Sequence, residues 1–161
     1  MRTALLSFAA IIALCAPAHA TDYLGAYTGY FDVAQKDDTA AQFGLEYRYK
    51  DIYYGLRPGA GLNFTSDDAV YAYGGLFWDI YPLRNVVFTP NFSAGLYDHG
   101  NGKKLGSAIE FRSGLELSYQ FENESRLGMA FNHVSNASIG NHNPGVETLL
   151  VIYQHPIHWL D

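Results

Sequence analysis

Hydrophobic and polar residues alternate along several segments of the chain, most clearly over residues 107–121. One set of alternating positions there is apolar or aromatic, and it comprises Ile109, Phe111, Leu115, Leu117, Tyr119 and Phe121. The positions between them include the polar residues Glu110, Arg112, Glu116 and Gln120. Because successive side chains of a β-strand point to opposite faces, this period of two predicts a strand with one apolar and one polar face.

The same alternation recurs along the rest of the chain. Residues 42–49 set Phe43, Leu45, Tyr47 and Tyr49 against Gln42, Gly44, Glu46 and Arg48. Together with the turn-like stretches between them, such segments predict eight strands, near 22–33, 42–49, 52–64, 69–80, 86–97, 107–121, 125–135 and 146–154. Eight is the smallest strand number of the outer-membrane barrels. We therefore expect an all-β fold, an eight-stranded antiparallel transmembrane β-barrel of the outer membrane.

The charged residues on the polar faces bear on the choice between a membrane barrel and a soluble one. They comprise Glu46, Arg48, Arg57, Asp79, Glu110, Arg112 and Glu116. A narrow polar lumen can hold such a set as an ionic network, whereas a soluble barrel of the lipocalin kind keeps apolar residues inside. The charges favour the membrane barrel. A soluble barrel that puts them in water stays open as the alternative.

The connections predict how the barrel is oriented, because outer-membrane barrels have short periplasmic turns and longer extracellular loops. The connections near 34–41, 65–68, 98–106 and 136–145 are expected outside, and those at 50–51, 81–85 and 122–124 in the periplasm. Aromatic residues of lipid-facing parity gather near the periplasmic ends, as an interfacial girdle would. They are Tyr47, Tyr49, Tyr54, Trp78, Tyr119, Phe121 and Tyr153.

The first residues of the chain resemble an export signal. Arg2 precedes an apolar stretch that ends in the small-x-small sequence Ala18-His19-Ala20, which predicts a cleaved signal peptide over 1–20 and one barrel domain over 21–161. Lipidation of Cys15 is the alternative, which Leu14 disfavours because such signals need a small residue there. Cys15 is the only cysteine, so disulfides are not expected in the mature domain.

Charge and histidine spacing exclude other classes of function. The formal net charge is −6 and no basic run occurs, so nucleic-acid binding is not expected. The histidines outside the segment 131–147, and His142 within it, do not form a metal-ligand pattern, and we expect neither a metal nor a cofactor. Lys103 and Lys104 lie in the third long connection, where they either meet lipid phosphates or, as we favour, belong to a solvated loop.

Candidate chemistry appears in the segment FNHVSNASIGNHNPGVE, residues 131–147. The lipid-facing stripe of Leu127, Met129 and Phe131 continues by twos to His133 and Ser135, two polar residues where apolar ones are expected. Side chains at i and i+2 of a strand lie on one face about 6.6 to 6.8 Å apart, so leaning side chains can bring an imidazole to a hydroxyl. His133 and Ser135 are therefore a candidate base and nucleophile.

A carboxylate follows the next turn. Asn143-Pro144-Gly145 is a strong turn signal, and Glu147 begins the following strand in phase with its lipid-facing residues. Pairing of the last two strands could bring Glu147 behind His133. There it would select the tautomer of the imidazole and stabilise the imidazolium formed when Ser135 loses its proton.

These residues resemble the lipid A 3-O-deacylases, a family of small eight-stranded outer-membrane barrels. The family pattern of His-x-Ser-Asn followed by Asn-Pro-Gly-x-Glu matches His133, Ser135 and Asn136 and then the segment Asn143–Glu147. The resemblance implies a Ser-His-Glu triad of Ser135, His133 and Glu147, with Asn136 helping to form the oxyanion hole. Outside residues 131–147 the similarity is architectural only.

The resemblance also implies the substrate, which is the ester of a 3-hydroxy fatty acid at position 3 of lipid A in the outer membrane. No cofactor is required for such a hydrolysis. The alternatives are another outer-membrane phospholipase or acyltransferase, and a non-enzymatic barrel that serves adhesion or membrane integrity. The sequence leaves the oligomeric state open, a homodimer included.

Overall fold

The structure, a computed structural model, describes residues 21–158. The predicted signal peptide and the last three residues lie outside this range. The described chain forms strands β1 (Asp22–Phe31), β2 (Ala40–Arg48), β3 (Leu56–Thr65), β4 (Val70–Trp78), β5 (Ile80–Leu83), β6 (Val86–Asp98), β7 (Ile109–Gln120), β8 (Arg126–Ser135) and β9 (Val146–Ile157). In this part of the chain, no helix is long and apolar enough to cross a membrane.

The strands close into a barrel by antiparallel pairing. Each strand pairs with its neighbour in the chain except at the break between β4 and β5, and β1 also pairs with β9. Only Asp79 separates β4 from β5, and both pair with β6, so together they form one side of the barrel. The result is the predicted closed eight-stranded antiparallel barrel.

Side chains alternate between the two faces of the barrel wall as predicted. Apolar residues of lipid-facing parity are exposed, among them Leu45, Leu115, Leu117 and Met129. The predicted polar set is buried inside, and each of its members is at most 4% exposed, namely Glu46, Arg48, Arg57, Asp79, Glu110, Arg112 and Glu116. A soluble barrel would have the opposite sense, so this arrangement excludes the soluble alternative.

Ion pairs organise the lumen into two groups. In one, Arg48 bridges Glu46 and Glu116, and Arg112 lies 3.2 Å from Glu46. In the other, Asp79 pairs with Arg57 at 2.8 Å and with Arg126 at 2.7 Å. Buried charges are tolerated when they are paired and hydrogen bonded, so removing one member of either group would leave an uncompensated charge in the interior.

Bulky aromatic rings fill the remaining lumen, and glycines make room for them. A Cβ atom added to Gly44 would lie within 2.3 Å of the ring of Tyr27, its cross-strand partner. Gly61 stands in the same relation to Tyr73. The two tyrosine hydroxyls meet at 3.1 Å. The interior is therefore packed with side chains and leaves little space for a ligand.

Two predicted boundaries were wrong. Residues 49–55 form a longer turn than expected, in which Tyr54 and Gly55 have positive φ angles and Asp51 accepts a hydrogen bond from the Gly55 amide at 2.7 Å. A strand cannot continue through left-handed residues, so β3 begins at Leu56 instead of 52. The fourth strand, in turn, resumes after Asp79 as β5 and runs to Leu83, inside the expected turn.

The long connections lie together at one end of the barrel. We name three of them here: L1 (32–39), L3 (99–108) and L4 (136–145). Because outer-membrane barrels place their longer loops outside, this is the end predicted to be extracellular. L4 joins β8 to β9 and contains most of the candidate motif.

Candidate active site

His133 and Glu147 lie directly opposite one another on β8 and β9, on the outer face of the barrel. The Nδ1 atom of His133 is 2.9 Å from Oε1 of Glu147, which is a hydrogen bond. The Glu147 side chain is 19% exposed and that of His133 46% exposed, so the carboxylate is the more protected of the two. Because Glu147 engages Nδ1, the Nε2 atom on the other edge of the ring is left for a second partner.

Ser135 is the last residue of β8, two positions after His133 and on the same face. It is half-buried and pairs across the sheet with Phe111 of β7. Among the described residues, its hydroxyl has no hydrogen-bond partner, so it is not bonded to His133. Catalytic hydrogen bonds are often long without substrate and tighten when it binds. The structure thus joins His133 to Glu147 and leaves Ser135 beside them.

The turn at Asn143–Gly145 supports the imidazole. Gly145 has a φ of 65°, and a Cβ atom built on it would lie 2.9 Å from Cε1 of His133. Asn143 accepts a hydrogen bond from the Asn136 amide N–H at 3.1 Å. The backbone of the predicted turn Asn143–Gly145 therefore packs against His133 as well as reversing the chain.

Asn136 is fully buried and anchors L4. Its side-chain amide donates to the carbonyl oxygens of Leu105 at 2.8 Å and of His142 at 2.7 Å, while its Oδ1 accepts from the Ser138 amide at 2.9 Å. An asparagine amide has only two hydrogens to donate, and both are used here. In this conformation the side chain ties L4 to L3 and has no free donor for an oxyanion.

The wall beside the pair is apolar. On the side of His133 away from L4, Phe131 pairs with Leu149 and Met129 with Val151. All four side chains are exposed on the outside of the barrel. The polar residues therefore lie at the edge of an exposed apolar surface.

Ser113 is a polar neighbour that the sequence reasoning did not single out. It lies on β7 directly opposite His133, on the side away from Glu147, and is exposed. A signal was present, because Ser113 is the one polar residue among the lipid-facing positions of that strand.

The expectation for Lys103 was wrong. Its ammonium is buried and lies 2.8 Å from Asp32 of L1 and 2.8 Å from the Gln35 side chain, so it is neither solvated nor free for a lipid phosphate. Lys104 is exposed. Within residues 21–158, no group of three or more His, Cys, Asp or Glu side chains could hold a metal ion.

Comparison with known proteins gives a family match and a fold match. The model of the family described as "Lipid A 3-O-deacylase (PagL)" matches residues 18–156. A curated relative, "Lipid A deacylase PagL" of Bordetella bronchiseptica (strain ATCC BAA-588 / NCTC 13252 / RB50), is 32% identical over 53 residues, which is 33% of this chain and 30% of that protein. The match thus spans less than a third of that relative's length.

Three solved structures share the fold. The outer membrane enzyme PagL superposes with a TM-score of 0.65 at 16% identity, covering 84% of this chain and 99% of that one. A designed transmembrane β-barrel gives 0.61 at 10% identity, with 86% and 96% covered. Neisserial surface protein A gives 0.54 at 10% identity, with 84% and 95% covered. The fold is that of an outer-membrane β-barrel.

Proposed function

Because the chain belongs to the lipid A 3-O-deacylase family, we propose that it hydrolyses the ester of the 3-hydroxyacyl chain at position 3 of lipid A. The observation that carries this proposal is the hydrogen bond between His133 Nδ1 and Glu147 Oε1 on the outer wall, beside Ser135. A serine, an imidazole and a carboxylate in this order are the parts of a serine esterase.

The reaction begins at Ser135. Its oxygen attacks the ester carbonyl while Nε2 of His133 takes the hydroxyl proton, and Glu147 stabilises the imidazolium from the Nδ1 side. The bond between the acyl carbon and the sugar oxygen then breaks. The proton on Nε2 passes to that oxygen, so the deacylated lipid leaves with a hydroxyl and the acyl chain stays on Ser135.

Water completes the cycle. It gives a proton to Nε2 and attacks the acyl carbonyl, after which Ser135 recovers its hydrogen and the free 3-hydroxy acid leaves. Asn136 enters this proposal as the residue that fixes L4 next to Ser135. Its amide can serve as an oxyanion donor only when substrate binding opens one of its bonds to Leu105 or His142.

The position of the residues supports a lipid substrate. The triad residues lie on the outer wall near the extracellular rim, above the exposed side chains of Phe131 and Leu149. A lipid of the outer leaflet would present its ester at this level with its chain along the wall. The packed lumen, where Tyr27 and Tyr73 meet, is an unsuitable place for such a chain.

Lipid A mass profiles test the function directly. The folded parent protein, purified in detergent, should convert lipid A to a species lighter by one 3-hydroxyacyl chain. Ser135→Ala and His133→Ala should each nearly abolish that conversion, while Ser66→Ala, an exposed serine between β3 and β4, should retain it. Heat-modifiable gel migration checks that each variant is folded. Turnover by folded Ser135→Ala equal to that of the parent would exclude Ser135 as the nucleophile.

A further inference from the structure

Loops L1 and L3 meet through a buried ion pair above the lumen. The Lys103 ammonium donates to Asp32 Oδ1 at 2.8 Å, and the Asp32 side chain is fully buried. The other carboxylate oxygen of Asp32 accepts the backbone amides of Asp37 and Asp38, each at 2.9 Å. Asp32 therefore fixes both the fold of L1 and the place where Lys103 crosses from L3.

Gln35 extends this contact to L4. Its Oε1 accepts a hydrogen bond from Lys103 at 2.8 Å, and its Nε2 donates to the carbonyl oxygen of Pro144 at 2.9 Å. An ammonium can only donate and a carbonyl can only accept, so a single orientation of the Gln35 amide satisfies both partners. Gln35 is itself exposed, and its side chain links the buried Lys103 of L3 to a backbone carbonyl of L4.

Pro144 is next to the residue that touches the imidazole. A Cβ atom on Gly145 would lie 2.9 Å from His133 Cε1, so there is little slack between this backbone and the ring. L1 also holds the far side of the site, because the Val33 amide donates to the Glu147 carbonyl at 3.1 Å. A shift of Pro144 would therefore be passed to the ring of His133 through Gly145.

We propose that Gln35 is a positioning residue of the triad, which acts from L1 through Pro144 and Gly145 to hold His133 in place. Lys103 and Asp32 are the fixed support against which it acts. Among the described residues Gln35 makes no hydrogen bond to His133 or Ser135, so its contribution is to geometry. The inference rests on the proposed function for its kinetic consequence, but the position of the ring can be measured without any turnover.

The kinetic test uses two replacements of Gln35. Gln35→Leu removes both hydrogen bonds, whereas Gln35→Glu keeps an acceptor for Lys103 and loses the donor to Pro144. Because a small misplacement of a catalytic group is costly, each should lower kcat by about 10-fold. The KM for lipid A should stay within about twofold, since a positioning residue does not contact substrate. Lys36→Ala, an exposed change in the same loop, is the matched control and should behave like the parent.

A spectroscopic test runs in parallel on protein in micelles with ¹³C-labelled histidine. The Cε1–H signal of His133, assigned from its loss in His133→Ala, should shift or broaden in both Gln35 variants and stay in place in Lys36→Ala. The signal of His155, on the same barrel and remote from L4, is the internal reference.

The two tests distinguish failure of the positioning role of Gln35 from failure of the proposed deacylase function. An unshifted His133 signal in both variants overturns the positioning role, as does full activity of Gln35→Glu, which would mean that the Lys103 contact alone matters. A raised KM with unchanged kcat would make Gln35 a substrate contact instead. If the parent fails to deacylate lipid A, the proposed function fails, and the His133 signal still decides whether Gln35 positions the ring.

Discussion

Replacement of Glu147 by glutamine should cost more activity than its replacement by alanine. The carboxylate uses Oε1 to accept from His133 Nδ1, while its Oε2 is buried without a hydrogen-bond partner among the described residues. In Glu147→Gln, an amide that keeps the parent orientation would bury its NH₂ group at this second position with no acceptor. If the side-chain amide flips, its NH₂ group instead donates to Nδ1 of His133. The ring proton of the neutral imidazole must then lie on Nε2. An Nε2 that already carries a proton cannot take one from Ser135.

The loss in Glu147→Gln is the product of two contributions. Loss of the charge replaces a charged hydrogen bond by a neutral one, which costs about 1 to 1.5 kcal/mol, or about 5- to 13-fold in rate. Burying the unpaired NH₂ group disfavours the productive orientation by about 1 to 3 kcal/mol, or about 5- to 160-fold. The product is a loss of about 30- to 2000-fold for Glu147→Gln. Glu147→Ala loses the charged hydrogen bond alone, which costs about 1.5 to 3 kcal/mol, or about 13- to 160-fold in rate.

The assay is kcat on lipid A in micelles at one fixed pH, with folded protein verified by heat-modifiable migration. Glu147→Ala should remain more active than Ser135→Ala or His133→Ala, because a free imidazole still samples the productive tautomer. A Glu147→Gln enzyme as active as Glu147→Ala, or more active, would refute the reasoning. It would mean that the amide keeps its oxygen on Nδ1 and that its NH₂ group finds an acceptor.

Three other predictions concern the wall, the turn and the loops. Leu149→Trp on the outer wall should change the preferred acyl length across a substrate series, while Arg112→Leu in the lumen should lower the unfolding temperature through unpaired charge and leave that preference alone. Gly145→Ala should lower kcat about tenfold or more in a folded barrel, because the residue has a φ of 65° and its Cβ would meet His133 at 2.9 Å. Burial raises the pKa of Asp32, but its hydrogen bond and ion pair with Lys103 outweigh this effect and lower the pKa below its usual value. Its contribution to stability is therefore present above the unfolded pKa of about 3.9 and lost as pH falls through the lower folded value, so unfolding temperatures of the parent and Asp32→Asn should converge in acid.

The barrel could be predicted from the sequence because lipid on one face and a polar lumen on the other impose a period of two on the hydrophobic pattern. Every strand must show lipid to one face and the lumen to the other, so parity alone assigns a residue such as Glu116 to the interior, where it is 1% exposed. The same rule placed Leu117 outside, and it is 57% exposed. Parity does not apply where backbone φ angles turn positive, which is why the turn before Leu56 was misjudged.

The pairing of His133 with Glu147 was also within reach of the sequence. Both residues have lipid-facing parity and flank L4 on consecutive antiparallel strands, and the register brings them opposite one another. Gln35 and Lys103 were out of reach, since they meet across 68 residues of chain from two loops that have no periodicity. The sequence also could not show that both amide hydrogens of Asn136 are already donated, because their acceptors are backbone carbonyls of loop residues.

The location of the candidate site follows from how a narrow barrel divides its two faces. The lumen is packed with charged and aromatic side chains, and an interior residue such as Arg48 is engaged with Glu46 and Glu116. Chemistry on a lipid can then be placed only on the outer wall. A polar group costs least there near the rim, where headgroups and water can reach it, and His133 at 46% exposure lies at this level. The Glu147 carboxylate opposite it is more protected, with a side-chain exposure of 19%. The loop end of a strand pair therefore suits a candidate site of this kind, because the register brings the two residues opposite one another there.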